Sequence, residues 1–237
     1  MKILHWFKNS VEQSLVLWNQ DFVPQCCMLD FTRYLKEHYS KDLVGVEIGV
    51  HLGVNAFNML SVLPNLKMLY LVDPYLDDRY GTGGYRKGVM LSHLKRFDDR
   101  ITLVQNSSSV AVDSIPDGVD FVFIDGNHDY GFVKDDIGLY YPKIVMGGVL
   151  GGHDYSLRCR GVVHAVEEFM QNHDGCVLEF GDSTDWWFVK KSNDFGSKGV
   201  DNVGVFKYCP KCGFGWSWMK EFCPKCGTKL VKKNIKP

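Results

Sequence analysis

The sequence predicts an α/β fold, a doubly wound and mostly parallel sheet, with a small metal-bound module appended. Three observations predict it. Short β-branched runs alternate with stretches of helical spacing, the pattern of strand–helix–strand units and therefore of a parallel sheet covered by helices. The clearest unit spans 119–155: an apolar strand at 119–124, helical spacing over 130–141 stopped by Pro142, and a second strand at 147–150. Near the C-terminus two identical Cys-Pro-Lys-Cys-Gly segments recur, a spacing that suits a metal site.

The chain has 237 residues, 45% hydrophobic and 23% charged, which allows one main soluble domain and a small second one. No apolar run reaches the roughly 18 residues of a membrane helix. The N-terminus, MKILHWFKNS, turns polar too soon for a signal peptide. Both point to a cytoplasmic protein with no membrane partner. Of eight cysteines, four form the paired CxxC segments, so metal is favoured over disulfides. Cys26, Cys27, Cys159 and Cys176 are scattered and read as buried or idle thiols. The net charge of −1 hides an asymmetry: from Phe206 onward eight Lys face one Glu, a sum of +7, which leaves −8 for the rest. Four thiolates on zinc would add about −2 and leave the tail basic. Such a tail suits an anionic partner or its own acidic core.

Taken in order, 28–39 has one apolar stripe at helical spacing and reads as a helix packing on the core. Residues 43–48 (LVGVEI) form a buried strand that runs into Glu47, Gly49 and Gly53 and then a helix over 54–63. The two glycines bracket a tight strand-to-helix turn, where backbone N–H groups face a ligand. Strand 67–72 ends at Asp73, placed about twenty residues past the glycine loop to bind ribose hydroxyls. Residues 79–88 (RYGTGGYRKG) read as a mobile basic loop, without the GKS or GKT of a P-loop, followed by a helix over 89–97. A third strand at 101–104 precedes Asn106, Ser107, Ser108 and Ser109, able to meet an adenine edge or to cap the short helix that follows. After the 119–155 unit come an amphipathic helix at 161–172, a strand at 176–180 and its hairpin partner at 185–190. The strands of the central unit end in Asp125 with His128, and in His153 with Asp154. Ligands of open α/β sheets sit at such carboxyl ends.

Residues 192–205 read as a linker. Cys209, Cys212, Cys223 and Cys226 then form two knuckles whose thiolates suit tetrahedral Zn²⁺. A tail so short buries too little core to fold without the metal. With no open ligand position the zinc is structural, and the segment 206–231 looks like a zinc ribbon, with a basic tail at 232–237.

Residues 44–190 resemble the class I S-adenosylmethionine (SAM)-dependent methyltransferases. VEIGVHLGVNA looks like their first motif, YLVDPY like their second, and NSSSVA like their third-strand loop. The segment from FVFIDGNHDY to GGVLGGHDY is the most specific, similar to a subgroup related to catechol-type O-methyltransferases and cephalosporin-hydroxylase-like proteins. The resemblance implies a Rossmann-like sheet of seven strands ending in an antiparallel hairpin and a methyltransferase domain at 41–191; residues 1–40 before it read as a helical extension. It implies SAM contacts from Glu47, Gly49, Gly53, Asp73, Ser107, Ser108 and Asp125. It also implies Mg²⁺ or another divalent metal at Asp125, His153 and Asp154. Relatives often have an acid where this chain has His153, and hard cations prefer oxygen. Three arrangements are therefore open: a metal on Asp125 and Asp154 with His153 as base, a softer metal that also engages His153 and His128, or no metal with His153 acting alone.

The expected chemistry is O-methylation of a small-molecule or sugar hydroxyl, with His153, Asp125 and Asp154 as the catalytic set. One alternative is methylation of a nucleic acid or protein recruited by the basic ribbon. Base N-methylation is disfavoured, because the fourth strand ends in DGNH and not in the (D/N)PP(Y/F) of such enzymes. Another alternative is a SAM-binding scaffold without catalysis.

Overall fold

The computed structural model describes residues 29–76, 81–173 and 175–191, together with short segments at 205–208, 215–216, 229 and 231–234. Leu29–His38 is α1 and Leu43–Ile48 is β1. There follow α2 (Val54–Val62), β2 (Leu66–Val72), α3 (Gly83–Leu94), β3 (Ile101–Val104), α4 (Ser108–Ala111) and β4 (Val119–Ile124). The domain continues through α5 (Tyr130–Tyr140), β5 (Ile144–Gly152), α6 (Arg160–Gln171), β6 (Glu179–Phe180) and β7 (Trp186–Val189). These strands form one seven-stranded sheet in the order β3-β2-β1-β4-β5-β7-β6. The first five are parallel, and β7 runs antiparallel to both β5 and β6. The order reverses between β1 and β4, so the carboxyl ends of those two strands open a crevice for a ligand.

The alternation of side chains along β4 explains why the sheet is covered on both faces. Phe121 and Phe123 join Phe31, Leu35, Met59, Leu69 and Trp187 on one face. Val122 and Ile124 join Val46, Ile137, Leu150, Val166 and Trp186 on the other. Every residue of β4 is buried, as expected of a central parallel strand. Helix α1, read from sequence as packing on the core, is built into the first of these clusters. Phe31 is wholly buried, with its ring 4.9 Å from Phe123, 5.8 Å from Phe121 and 6.4 Å from Trp187.

Three expectations change. The glycine-rich stretch expected as a loop through residue 88 is helical from Gly83. Each glycine costs about 1 kcal/mol in a helix interior. Burial of Met90 and Leu94 and the bond from Arg86 Nη2 to the Leu76 carbonyl (3.0 Å) hold the helix against that cost. Strand β5 is longer than 147–150, because a register shift against β4 and a left-handed Gly147 (φ 79°) absorb extra residues before the pairing resumes at Val149. The strand expected at 176–180 is confined to Glu179–Phe180.

At the C-terminus, β8 (Val205–Tyr208), β9 (Gly215–Trp216) and β10 (Val231–Asn234) form an antiparallel sheet in the order β10-β8-β9. Strand β10 reaches into the stretch read from sequence as a basic tail. The expected zinc ligands Cys209, Cys212, Cys223 and Cys226 lie outside the described residues. Among the described residues no helix is long and apolar enough to cross a membrane.

Candidate active site

The carboxyl ends of β1, β2, β4 and β5 surround one cavity of about 920 Å³. Its floor is the turn after β1. Gly49 (φ 87°), His51 (φ 51°) and Gly53 (φ 77°) all take left-handed backbone there, coiling the chain tightly into the start of α2. A Cβ at Gly49 would lie 2.2 Å from the Asp125 carbonyl oxygen, so only glycine lets the ends of β1 and β4 meet this closely. Among the described residues three non-glycine residues have positive φ: His51, Tyr75 and Asp154. His51 and Asp154 line the cavity, and the Tyr75 hydroxyl donates to the His51 carbonyl at 3.0 Å. Backbone strain of this kind concentrates at functional sites.

Asp73 ties the floor to β2. One carboxylate oxygen accepts from Val50 N (3.0 Å) and His51 N (2.9 Å), and the other accepts from Tyr75 N (2.8 Å). A carboxylate has about four acceptor sites, so roughly one is left for a ligand. Glu47 is 1% exposed. Asn55 Nδ2 donates to its Oε1 at 3.0 Å, while Oε2 is buried with no hydrogen-bond partner. Burial, helped by the charges of Asp125 and Asp73 and opposed by the Asn55 bond, pushes its carboxyl up to about 8. Ser107 and Ser108 line the far wall. Beside them stands Asp136, which sequence reasoning did not select. Burial pushes it up to about 6, against the pull of the Ser108 hydroxyl.

The other wall carries the charged groups expected from sequence. Asp125 N donates to the Ile48 carbonyl (2.8 Å) and His153 N to the Ile124 carbonyl (3.1 Å), which fixes both residues at the strand ends. The imidazole Nε2 of His128 lies 3.5 Å from Asp125 Oδ1 and 3.4 Å from Asp154 Oδ2. Asp125 does most to raise the His128 imidazole above the ordinary histidine value, against burial, and Asp154 adds to it. Burial raises the Asp125 carboxyl, with the two imidazoles opposing.

His153 is 8% exposed, and its Nδ1 lies 2.7 Å from Asp185 Oδ1. Asp185 is fully buried, and its other oxygen accepts from Phe31 N at 3.1 Å. A carboxylate at Nδ1 favours the tautomer with the proton there and leaves Nε2 as the basic nitrogen. That nitrogen lies 3.2 Å from Thr184 Oγ1 and 3.8 Å from Asp154 Oδ1. Burial alone would depress the imidazole, but the bond and charge of Asp185, with Asp125 and Asp154, outweigh it and raise it. Asp185 was absent from the sequence-predicted set. The signal was present, because an antiparallel hairpin strand after β5 returns its first residues to the carboxyl end of β5.

The structure thus brings Glu47, Gly49, Asp73, Ser107, Ser108, Asp125, His128, His153 and Asp154 to one cavity, adds Asp136 to its lining and buries Asp185 behind His153. Gly53 acts from beneath the cavity, at the start of α2. Residues 46–155 match the family model described as a methyltransferase domain. An uncharacterized protein of Acanthamoeba polyphaga mimivirus, R132, is 30% identical over 123 residues, 48% of this chain. The chain spans about half the length of that curated relative, 52%. The O-methyltransferase NovP superposes with a TM-score of 0.55 at 18% identity, covering 70% of this chain and 80% of NovP. The methyltransferase MycE, in complex with Mg and SAH, gives a TM-score of 0.51 at 17% identity, covering 72% of this chain and 51% of MycE. The family match is confined to residues 46–155, and the solved structures share the fold of the seven-stranded sheet.

Proposed function

We propose that the protein is a SAM-dependent methyltransferase whose acceptor is the hydroxyl of a small molecule or sugar. The observation that carries this reading is the single cavity that joins Glu47 and the Gly49 turn to the His153–Asp185 pair. The buried, unpartnered Glu47 oxygen suits the α-ammonium of SAM, which would offer both a donor and a positive charge. The remaining acceptor site of Asp73 suits a ribose hydroxyl, and Ser107, Ser108 and Asp136 suit the adenine edge. SAM brings a methyl group already activated on a sulfonium.

The chain's own residues then have two tasks. Asp125 and the strand ends hold the acceptor in line with the methyl, and an oriented base takes the acceptor's proton. His153 supplies that base through Nε2, with Asp185 holding the ring and stabilising the imidazolium that forms. The name of MycE reports Mg, and this chain offers Asp125 and Asp154 in the lining of its cavity. A structural Zn²⁺ on Cys209, Cys212, Cys223 and Cys226 accompanies this reading.

Calorimetric titration with S-adenosylhomocysteine tests it. One site per chain is expected, retained in His153→Ala, while methyl transfer by that variant falls by about 10²–10⁴-fold. Unchanged transfer in His153→Ala would remove the base, and binding without any transfer would leave only the scaffold reading. The +7 charge from Phe206 onward favours a second reading, an anionic macromolecule as acceptor. That reading predicts methyl label in nucleic acid or protein, lost when the basic segment is neutralised.

A further inference from the structure

His128 is the residue whose geometry the reading above leaves unexplained. Its Nε2 is buried, and its contacts with carboxylate oxygens of Asp125 and Asp154 are long, at 3.5 and 3.4 Å. Those separations are too long for well-formed charge-assisted hydrogen bonds. The His128–Asp154 separation matches the edge of a tetrahedron around a metal ion bound at 2.0–2.3 Å, which is about 3.3–3.8 Å. A third donor completes the group. Ligand atoms of His128, Asp154 and Cys159 all lie within 4.8 Å of one another.

The fold holds these three together from separate segments. His128 follows β4, Asp154 follows β5 in a left-handed conformation (φ 59°), and Cys159 stands immediately before α6. Gly161 lets α6 approach the His128 turn, for a Cβ there would lie 2.3 Å from the His128 carbonyl oxygen. Cys159 hydrogen-bonds the Asp154 carboxylate, and burial together with that charge raises its thiol.

We propose that His128, Asp154 and Cys159 form a binding site for a zinc-class divalent ion. An imidazole and a thiolate are poor partners for Mg²⁺, which demands six oxygens, and good ones for Zn²⁺ or Co²⁺. Binding converts the Cys159 thiol to a metal thiolate and releases one proton to solvent. Three protein ligands leave a fourth position for a water or hydroxyl, as in catalytic rather than structural zinc sites. The proposal rests on the methyltransferase reading only in that His128 and Asp154 line its cavity, and its test needs neither methyl donor nor acceptor.

The test uses the full-length chain carrying Cys209→Ser, Cys212→Ser, Cys223→Ser and Cys226→Ser, so that thiolate–metal signals from the tail are removed. Titration with Co²⁺ is expected to give one equivalent bound with a thiolate-to-cobalt charge-transfer band. Cys159→Ser abolishes the band, His128→Ala weakens binding at least about tenfold, and excess Mg²⁺ leaves the band in place. A band that survives Cys159→Ser, no band at all, or displacement by Mg²⁺ overturns the proposal. Zinc content provides a second measurement should the four-serine chain not fold: Cys159→Ser in the otherwise natural chain loses one equivalent, and an unchanged content refutes the site. S-adenosylhomocysteine titrations of the same samples keep the two readings apart. Lost nucleoside binding with an intact cobalt band counts against the methyltransferase alone.

Discussion

Glu47 and His153 are each held by one polar neighbour, and each carries a testable pH signature. The folded protein keeps the Glu47 carboxyl protonated up to about 8, whereas the ordinary value is 4.5. Over that window the folded chain binds a proton that the unfolded chain has released, so stability falls as pH rises through it. Glu47→Gln removes the slope: thermal denaturation above pH 8 should find the variant more stable than the natural chain. The same variant should bind SAM more weakly and lose the proton release that ionising Glu47 would add. His153 acts as base only when neutral, and its raised value places that form above the ordinary histidine range. Asp185→Asn should therefore lower turnover by about tenfold or more and shift the acid limb of the pH–rate profile to lower pH, with S-adenosylhomocysteine affinity unchanged. Loss of affinity instead would make Asp185 a structural residue. Glu47, Asp73, Asp125, His153 and Asp154 were legible because each ends a strand, where sequence order and topology coincide. Asp136, Asp185 and Cys159 were not, because their place in the site comes from helix faces and a returning hairpin.

At the scale of elements, the turn between β1 and α2 and the helix α1 bear most directly on the site. Gly49 combines a φ of 87° with a Cβ-forbidding contact to Asp125. Gly49→Ala should cost about 1–3 kcal/mol from backbone strain alone, and more from the clash, with nucleoside binding lost. Phe31 fills the space between β4 and β7 and also donates its N–H to Asp185. Truncation by Phe31→Ala should cost about 3–5 kcal/mol in chemical denaturation and leave His153 less firmly oriented. Strands β1 to β4 and helices α5 and α6 were readable to within a residue or two, because long apolar periodicity survives single substitutions. The start of α3 was not, since its glycines and basic residues carry the composition of a loop while tertiary contacts hold them in a helix. The bulge in β5 hides in sequence for a similar reason: Gly147 and Gly148 read as a strand's edge when they lie within it.

Over the whole molecule, the topology sets two chemistries at the two sides of one crevice. The β1–β2 side carries a glycine turn, a protonated acid and a partly used carboxylate, suited to a nucleoside with an ammonium group. The β4–β5 side carries two imidazoles and two carboxylates, suited to deprotonating or coordinating an acceptor. No single motif in the chain specifies that division; it follows from the strand order, which sends neighbouring crossovers to opposite faces of the sheet. The basic C-terminal segment lies apart from both in sequence, and its charge is the ground for the second reading, an anionic macromolecule as acceptor. The most direct test is transfer of labelled methyl from SAM into a cell extract, separated afterwards into small-molecule, nucleic-acid and protein fractions. The account predicts label in the small-molecule fraction, dependent on His153; label confined to the macromolecular fractions, or none in any fraction, would contradict it.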